Sequence, residues 1–180
     1  MSKIGKKNIV IPKESSIKIE GSNLTISGPK GTKKLTINDK IFSSKLNESK
    51  FQIQPLEKKI DKKTSIMWGT YRSLINNAVK GVSQGHEKIL ELSGVGFRAN
   101  LKGDILNLQI GFSHDVNFKI PKEIKIAVEK QTVIKINGVD KELVSKIASD
   151  IKSLKPVEPY KAKGIKEKGQ FVLRKEGKKK

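Results

Sequence analysis

The sequence predicts an α+β protein of two similar small domains, each an antiparallel sheet packed with one helix, followed by an extended basic C-terminal tail. Three observations predict it. Apolar and polar residues alternate in short runs over most of the chain, the signature of half-buried strands. The apolar period lengthens to that of a helix twice, once around Leu74 and once around Ile147. From Pro156 to Gly169 apolar residues become scarce while lysine persists. The expected division is residues 1–82, 83–155 and 156–180.

The first domain opens with Ile17 and Ile19, then Leu24 and Ile26, around Gly21-Ser22-Asn23, two short strands joined by a turn. Gly28-Pro29-Lys30-Gly31 is a loop signal, after which Leu35 and Ile37 and later Phe51 and Ile53 continue the period of two. Met67, Tyr71, Leu74, Ala78 and Val82 then fall on one face of a helix entered at Thr64 or Ser65 and ending near Gly81. In the second domain Ile89–Leu92, Phe97–Leu101 and Ile105–Ile110 read as strands, the last two joined at Lys102-Gly103-Asp104. Val116, Phe118 and Ile120, then Ile124, Ile126 and Val128, then Val133 to Ile136, extend the sheet. Asp140 is an N-cap candidate for a helix with Leu143, Val144, Ile147, Ala148, Ile151 and Leu154 on one face, stopped before Pro156.

The two domains share local text. Ile11-Pro12-Lys13-Glu14 recurs as Ile120-Pro121-Lys122-Glu123, Ile17-Lys18-Ile19 as Ile124-Lys125-Ile126, and Leu24 to Gly28 as Ile134 to Gly138, at offsets between 107 and 110. A chain this rich in isoleucine and lysine produces such matches by chance as well. The pattern alone leaves duplication and coincidence open.

Charge defines the partner class. With 38 basic against 18 acidic residues the net charge is +20, far more than solubility requires, and nucleic acid is the expected polyanion. Residues 1–34 carry eight lysines against two glutamates, and residues 155–180 carry ten basic against three acidic residues, so the two ends are the expected contact surfaces. No apolar run approaches a membrane span, so no membrane partner is expected. The start, MSKIGKKNIVIPK, has too short an apolar run for a signal peptide and no arginine before Arg72, and it reads as a mature intracellular start. Without cysteine there is no disulfide, thiolate metal site or cysteine nucleophile, and stability has to come from packing.

No catalytic group is expected. His86 and His114 lack partners at metal-ligand or catalytic spacing, the aspartates are scattered, and no metal or cofactor is expected. Ser113-His114-Asp115 has the residue types of a hydrolase triad. Consecutive residues of an extended strand point to alternate faces, so they cannot form that relay locally. Gly28-Pro29-Lys30-Gly31-Thr32 lacks the Walker spacing and reads as a turn whose Lys30 and Lys33 can touch phosphate. Gly94-Val95-Gly96 reads as a bulge or close backbone approach.

The tail is the strongest functional signal. Pro156 and Pro159 restrict the backbone to extended forms, Tyr160 offers a flat ring for stacking on a base or sugar, and Gly164 lets the main chain approach a phosphate. The alternative for Tyr160 is packing on the second helix as an anchor. The expected RNA contacts are Tyr160, Lys161, Lys163, Gly164, Lys166, Lys168, Arg174 and Lys175, with Lys30 and Lys33 from the first domain. Lys178–Lys180 are expected to be a solvated end.

Pro-Val-Glu-Pro-Tyr-Lys-Ala-Lys-Gly-Ile at 156–165 resembles the C-terminal signature of the sixth protein of the large ribosomal subunit, bacterial type. Gly28-Pro29-Lys30-Gly31, Gly69-Thr70-Tyr71-Arg72-Ser73-Leu74, Gly94-Val95-Gly96-Phe97-Arg98-Ala99 and Gly111-Phe112-Ser113-His114 resemble that family in the same order. Two departures are Val157, where the family usually has proline, and Lys166-Glu167, where it usually has a basic-aromatic pair. The resemblance implies two duplicated sheet-plus-helix domains and no enzyme activity. It also implies a structural role on large-subunit ribosomal RNA near the sarcin-ricin loop, among neighbouring ribosomal proteins and beside the docking site of translational GTPases. The location implied is the ribosome, in a bacterial cytoplasm or an organelle matrix. The competing expectation is a general nucleic-acid-binding or DNA-compacting protein.

Overall fold

The computed structural model describes residues 2–47, 49–57 and 60–177, so the expectation for Lys178–Lys180 lies outside the described residues. The chain forms two compact units, one running to Gly85 and including Val139–Lys141, the other comprising His86–Gly138 and the residues from Glu142 onward.

In the first unit the strands are β1 (Ile9–Val10), β2 (Ser16–Glu20), β3 (Asn23–Gly28), β4 (Gly31–Thr36), β5 (Phe42–Asn47) and β6 (Lys50–Pro55), followed by the helix α1 (Lys62–Ser83). They make two three-stranded sheets, β2-β3-β4 and β1-β6-β5, with every pair antiparallel. Alternation sets the inner faces: Leu24 and Ile26 of β3 and Phe51 and Ile53 of β6 are buried, their neighbours less so. Neither β1 nor β5 was legible as a strand. The first has only two residues, and in the second Phe42 alone is buried, so no period of two exists to read.

α1 starts at Lys62, before the expected Thr64 or Ser65, because its first turn is polar and adds nothing to the apolar pattern. Its buried residues are Trp68, Ile75, Ala78, Val79 and Val82, with Gly81, while Met67 and Tyr71 pack at the margin and Leu74 is only half-buried. The expected stripe is thus rotated. The reason is Trp68, whose indole nitrogen donates to the Ile53 carbonyl at 2.7 Å, giving a buried ring the partner its polar atom needs.

The second unit contains β7 (His86–Ser93), β8 (Arg98–Lys102), β9 (Ile105–Gln109), β10 (Val116–Lys119), β11 (Ile124–Glu129), β12 (Val133–Gly138), α2 (Lys141–Leu154) and β13 (Gly164–Glu167). The sheets are β10-β9-β8 and β11-β12-β7-β13, again antiparallel throughout. α2 buries Val144, Ile147, Ala148 and Ile151 against them, with Leu143 and Leu154 at the edge, as its spacing predicts. Ser113 and His114 lie in bends rather than on a strand, and Asp115 just before β10, so the strand argument against a relay does not apply there.

Duplication is visible in the topology. The order β1 to β6 then α1 repeats as β7 to β12 then α2, and the pairings coincide. Ile17 opposite Ile26 recurs as Ala99 opposite Leu108, each 82 residues on. Leu24 opposite Leu35 recurs as Leu106 opposite Phe118, and Ile9 opposite Phe51 as Leu90 opposite Ile134. This overturns the offset of 107–110, which matched the β2–β3 hairpin to β11–β12. Two isoleucine- and lysine-rich hairpins look alike as text, whereas the true counterpart of Ile17 is an alanine that shares only its burial.

β13 has no counterpart in the first unit, where β1 is the edge of its sheet. It corrects the expectation of a tail outside the cores. Ile165 is fully buried in the second core, opposite Leu92, and Lys168 N–H donates to the Ile89 carbonyl at 2.9 Å. Four residues with one large apolar side chain are too short a signal to be read as a strand, yet they complete an edge that would otherwise be open.

Candidate nucleic-acid interface

The segment leaving α2 is looped rather than extended. Glu158 N–H donates to the Lys163 carbonyl at 2.8 Å and Ala162 N–H to the Glu158 carbonyl at 3.0 Å, with Ala162 at φ +54°. Two prolines restrict φ locally but do not prevent the chain from turning between them and the glycine. The loop carries Tyr160 at its tip, 53% exposed, with Lys161 and Lys163 also exposed. About half of the residue therefore faces solvent.

Gly164 does not present its backbone outward as the phosphate argument required. It is buried at φ +143°, and a Cβ there would lie 2.7 Å from the Pro156 carbonyl oxygen and from Val157 Cα. The glycine is needed for the close crossing of the two ends of the loop. Beyond it, Ile165 N–H donates to the Lys155 carbonyl at 3.0 Å, which closes the loop at the end of α2.

Lys166 is also engaged. It sits opposite Glu91 in the ladder, and their charged groups pair at 3.2 Å, both half-buried. Glu167 projects to the face that carries Ile165 and receives Lys88 at 2.6 Å and Lys152 at 2.9 Å, tying β13 to β7 and to α2. Hydrogen bonds from Lys88 and then Lys152 hold the Glu167 carboxyl at about 2, against the opposing pull of desolvation. Because the folded value lies below the unfolded one, the stabilisation is present above the ordinary carboxylate range and is lost as pH falls through it toward 2. Glu167→Gln is expected to lower the stability of the second unit by about 1 to 2 kcal/mol at neutral pH, discounted for partial exposure. Denaturation at pH 7 and pH 3 measures it: the gap between variant and parent should shrink at the lower pH, and a constant gap would refute the linkage.

Lys168, Arg174 and Lys175 are exposed. Lys175 N–H donates to the Pro159 carbonyl at 3.0 Å, so the structure brings the end of the tail beside the Tyr160 loop. In the first unit, Lys30 is exposed at the β3–β4 turn with its N–H on the Val82 carbonyl at 2.9 Å, and Lys33 is half-buried and ion-paired with Asp140. The second unit also groups Phe112 and His114 with Lys155 from the end of α2. Phe112 and His114 stack at 18° with centroids 6.4 Å apart, and Lys155 Nζ lies 4.6 Å from the Phe112 centroid. The glycine-aromatic-polar-histidine text was the available signal.

Among the described residues no group of three or more His, Asp or Glu side chains is placed to hold a metal ion, and no helix is long and apolar enough to cross a membrane.

Geometry defines the class as a duplicated α+β scaffold that presents cations and an aromatic ring on exposed loops. A family model described as Ribosomal protein L6 matches twice, over residues 11–85 and 93–168, a displacement of 82 to 83 residues that equals the one in the strand registers. The chain belongs to the ribosomal protein L6 family, which is structural and not enzymatic. It is 46% identical over 180 residues, the whole of both chains, to the large ribosomal subunit protein uL6 of Beijerinckia indica. It is 46% identical over 178 residues to that of Staphylococcus epidermidis, covering 99% of this chain and 98% of the other. With that of Staphylococcus aureus the identity is 44% over the same coverage.

Proposed function

We propose that the protein is a structural constituent of the large ribosomal subunit that braces ribosomal RNA near the sarcin-ricin loop, beside the place where translational GTPases dock. Family membership supports the ribosomal role and the partners, ribosomal RNA and neighbouring ribosomal proteins. The observation that carries the contact surface is the Tyr160 loop, held against the second unit by a buried strand and closed by the Lys175–Pro159 hydrogen bond. Residues 156–180 are on this reading a functional division rather than a separate folding one. Tyr160 stacks on a base or sugar, and Lys161, Lys163, Lys168, Arg174 and Lys175 meet phosphates. The loop is already closed before it meets RNA, so docking orders little additional backbone.

The test is sedimentation of the tagged protein from a bacterial lysate after a moderate-salt wash. The parent is expected with the large subunit. Lys161→Gln with Lys163→Gln, and separately Tyr160→Ala, are expected to shift the protein toward the top of the gradient. For Tyr160→Ala the loss corresponds to about 1 to 3 kcal/mol. Recovery of the parent with DNA instead would favour the general nucleic-acid binder. A Tyr160→Ala protein that melts earlier yet sediments like the parent makes the tyrosine an anchor and removes its stacking role.

A further inference from the structure

We propose that the Gly111–His114 loop is a second RNA contact, distinct from the tail loop, at which Phe112 and His114 form a stacking platform for one unpaired base and Lys155 meets its phosphate. The inference rests on the ribosomal RNA reading above. The duplication supplies an internal control. In the first unit the ladder runs to Gly28 opposite Gly31, and a two-residue turn suffices to join the strands. In the second unit the equivalent ladder stops at Leu108 opposite Val116, and the six residues 110–115 separate β9 from β10. Counted from the matched pairs, Ile26 opposite Lys33 and Leu108 opposite Val116, the second connection is one residue longer; its Ile110 is buried in the core, whereas Phe112, Ser113 and His114 are exposed and the first unit's turn, Gly28-Pro29-Lys30-Gly31, carries no aromatic side chain.

Those side chains suit a base. Phe112 is 48% exposed although phenylalanine is a residue that folding normally buries, and its ring lies within 18° of parallel to the exposed ring of His114. Lys155, the residue after α2, holds its ammonium over one face of the Phe112 ring, 4.6 Å from the centroid, and so fixes a cation beside the ring pair. Gly111, at φ +77°, seats the loop on Phe97, since a Cβ would lie 3.2 Å from Phe97 Cε1. Gln109 donates to the Asp115 carboxylate at 3.4 Å at the base of the loop. A flat aromatic pair on a supported backbone, flanked by a cation, matches single-stranded recognition, in which stacking supplies affinity without reading sequence. An unbroken duplex offers no base to it.

The experiment uses the full chain and a large-subunit ribosomal RNA transcript containing 4-thiouridine. Phe112→Leu keeps the apolar volume and removes the aromatic face. Phe112→Leu and His114→Ala are each expected to weaken binding about fivefold to a hundredfold. Lys155→Gln should flatten the salt dependence by about one unit, whereas Phe112→Leu should leave it unchanged. Photo-crosslinks are expected in the peptide spanning residues 111–115 as well as in the tail. Crosslinks confined to residues 156–175, with Phe112→Leu binding like the parent, overturn this inference and leave the tail reading standing. Absence of saturable binding by the parent overturns both. A Phe112→Leu protein that loses affinity only in proportion to lost thermal stability also overturns it, and the melting temperature of each variant decides that.

Discussion

Truncation after Lys155 is expected to abolish the cooperative unfolding transition of the second unit while the first keeps its own. The segment removed contains Ile165, fully buried among Leu90, Leu92 and Ile151, and losing such a side chain costs about 2 to 5 kcal/mol by itself. The backbone bonds of β13 to β7 go with it, as do the Glu167 bridges to Lys88 and Lys152. Together these approach the whole stability of a small domain, about 5 to 15 kcal/mol. None of the buried residues of the first core lies in the deleted segment. Urea denaturation followed by tryptophan emission from Trp68 for the first unit, and by hydrogen exchange at Leu90 and Ile134 for the second, separates the two. Protection at Leu90 and Ile134 equal to that of the full chain would refute the structural role of β13. This outcome reverses the one that the tail's composition suggested, a removable arm.

Binding of the full chain to a large-subunit ribosomal RNA fragment is expected to weaken steeply with salt. With roughly six phosphates neutralised, the log-log slope is about −4 to −5 on the duplex and single-strand coefficients for counterion release. Between 50 and 200 mM salt that amounts to a loss of about 300- to 1,000-fold. The driving charge is the net +20, carried almost entirely by lysine, since only Arg72, Arg98 and Arg174 offer a bidentate fork. Changes in helical sequence that preserve shape should therefore alter affinity little. A titration over that range with a slope near zero would remove the electrostatic argument for the contact surface.

Much of the scaffold was legible. β2 and β3 announce themselves by strict alternation, β9, β11 and β12 by a looser one, and α2 by a stripe from Leu143 to Leu154 ended by Pro156. Composition also told the class of partner, because net charge is a sum over residues and needs no coordinates. Legibility failed where one local text serves two environments. Lys166 reads as a free cation and is paired with Glu91, and Gly164 reads as a phosphate approach and is the crossing point of a loop. Tyr160 and Lys161 are exposed, but on a loop rather than on the extended strand that the two prolines suggest.

The sequence by itself determined the α+β class, the two helices, the excess of cationic charge and the family, all of which depend on local periodicity, residue counts or continuous motifs. Only the tertiary structure decided that β13 belongs to the second core, that Lys166 lies opposite Glu91 and pairs with it, and that Phe112, His114 and Lys155 form one group. The physical reason is common to all three. A strand edge is completed, a register is chosen and an ammonium finds a ring through contacts between residues far apart in the chain, where pairing and burial are set by what lies opposite rather than by what lies adjacent.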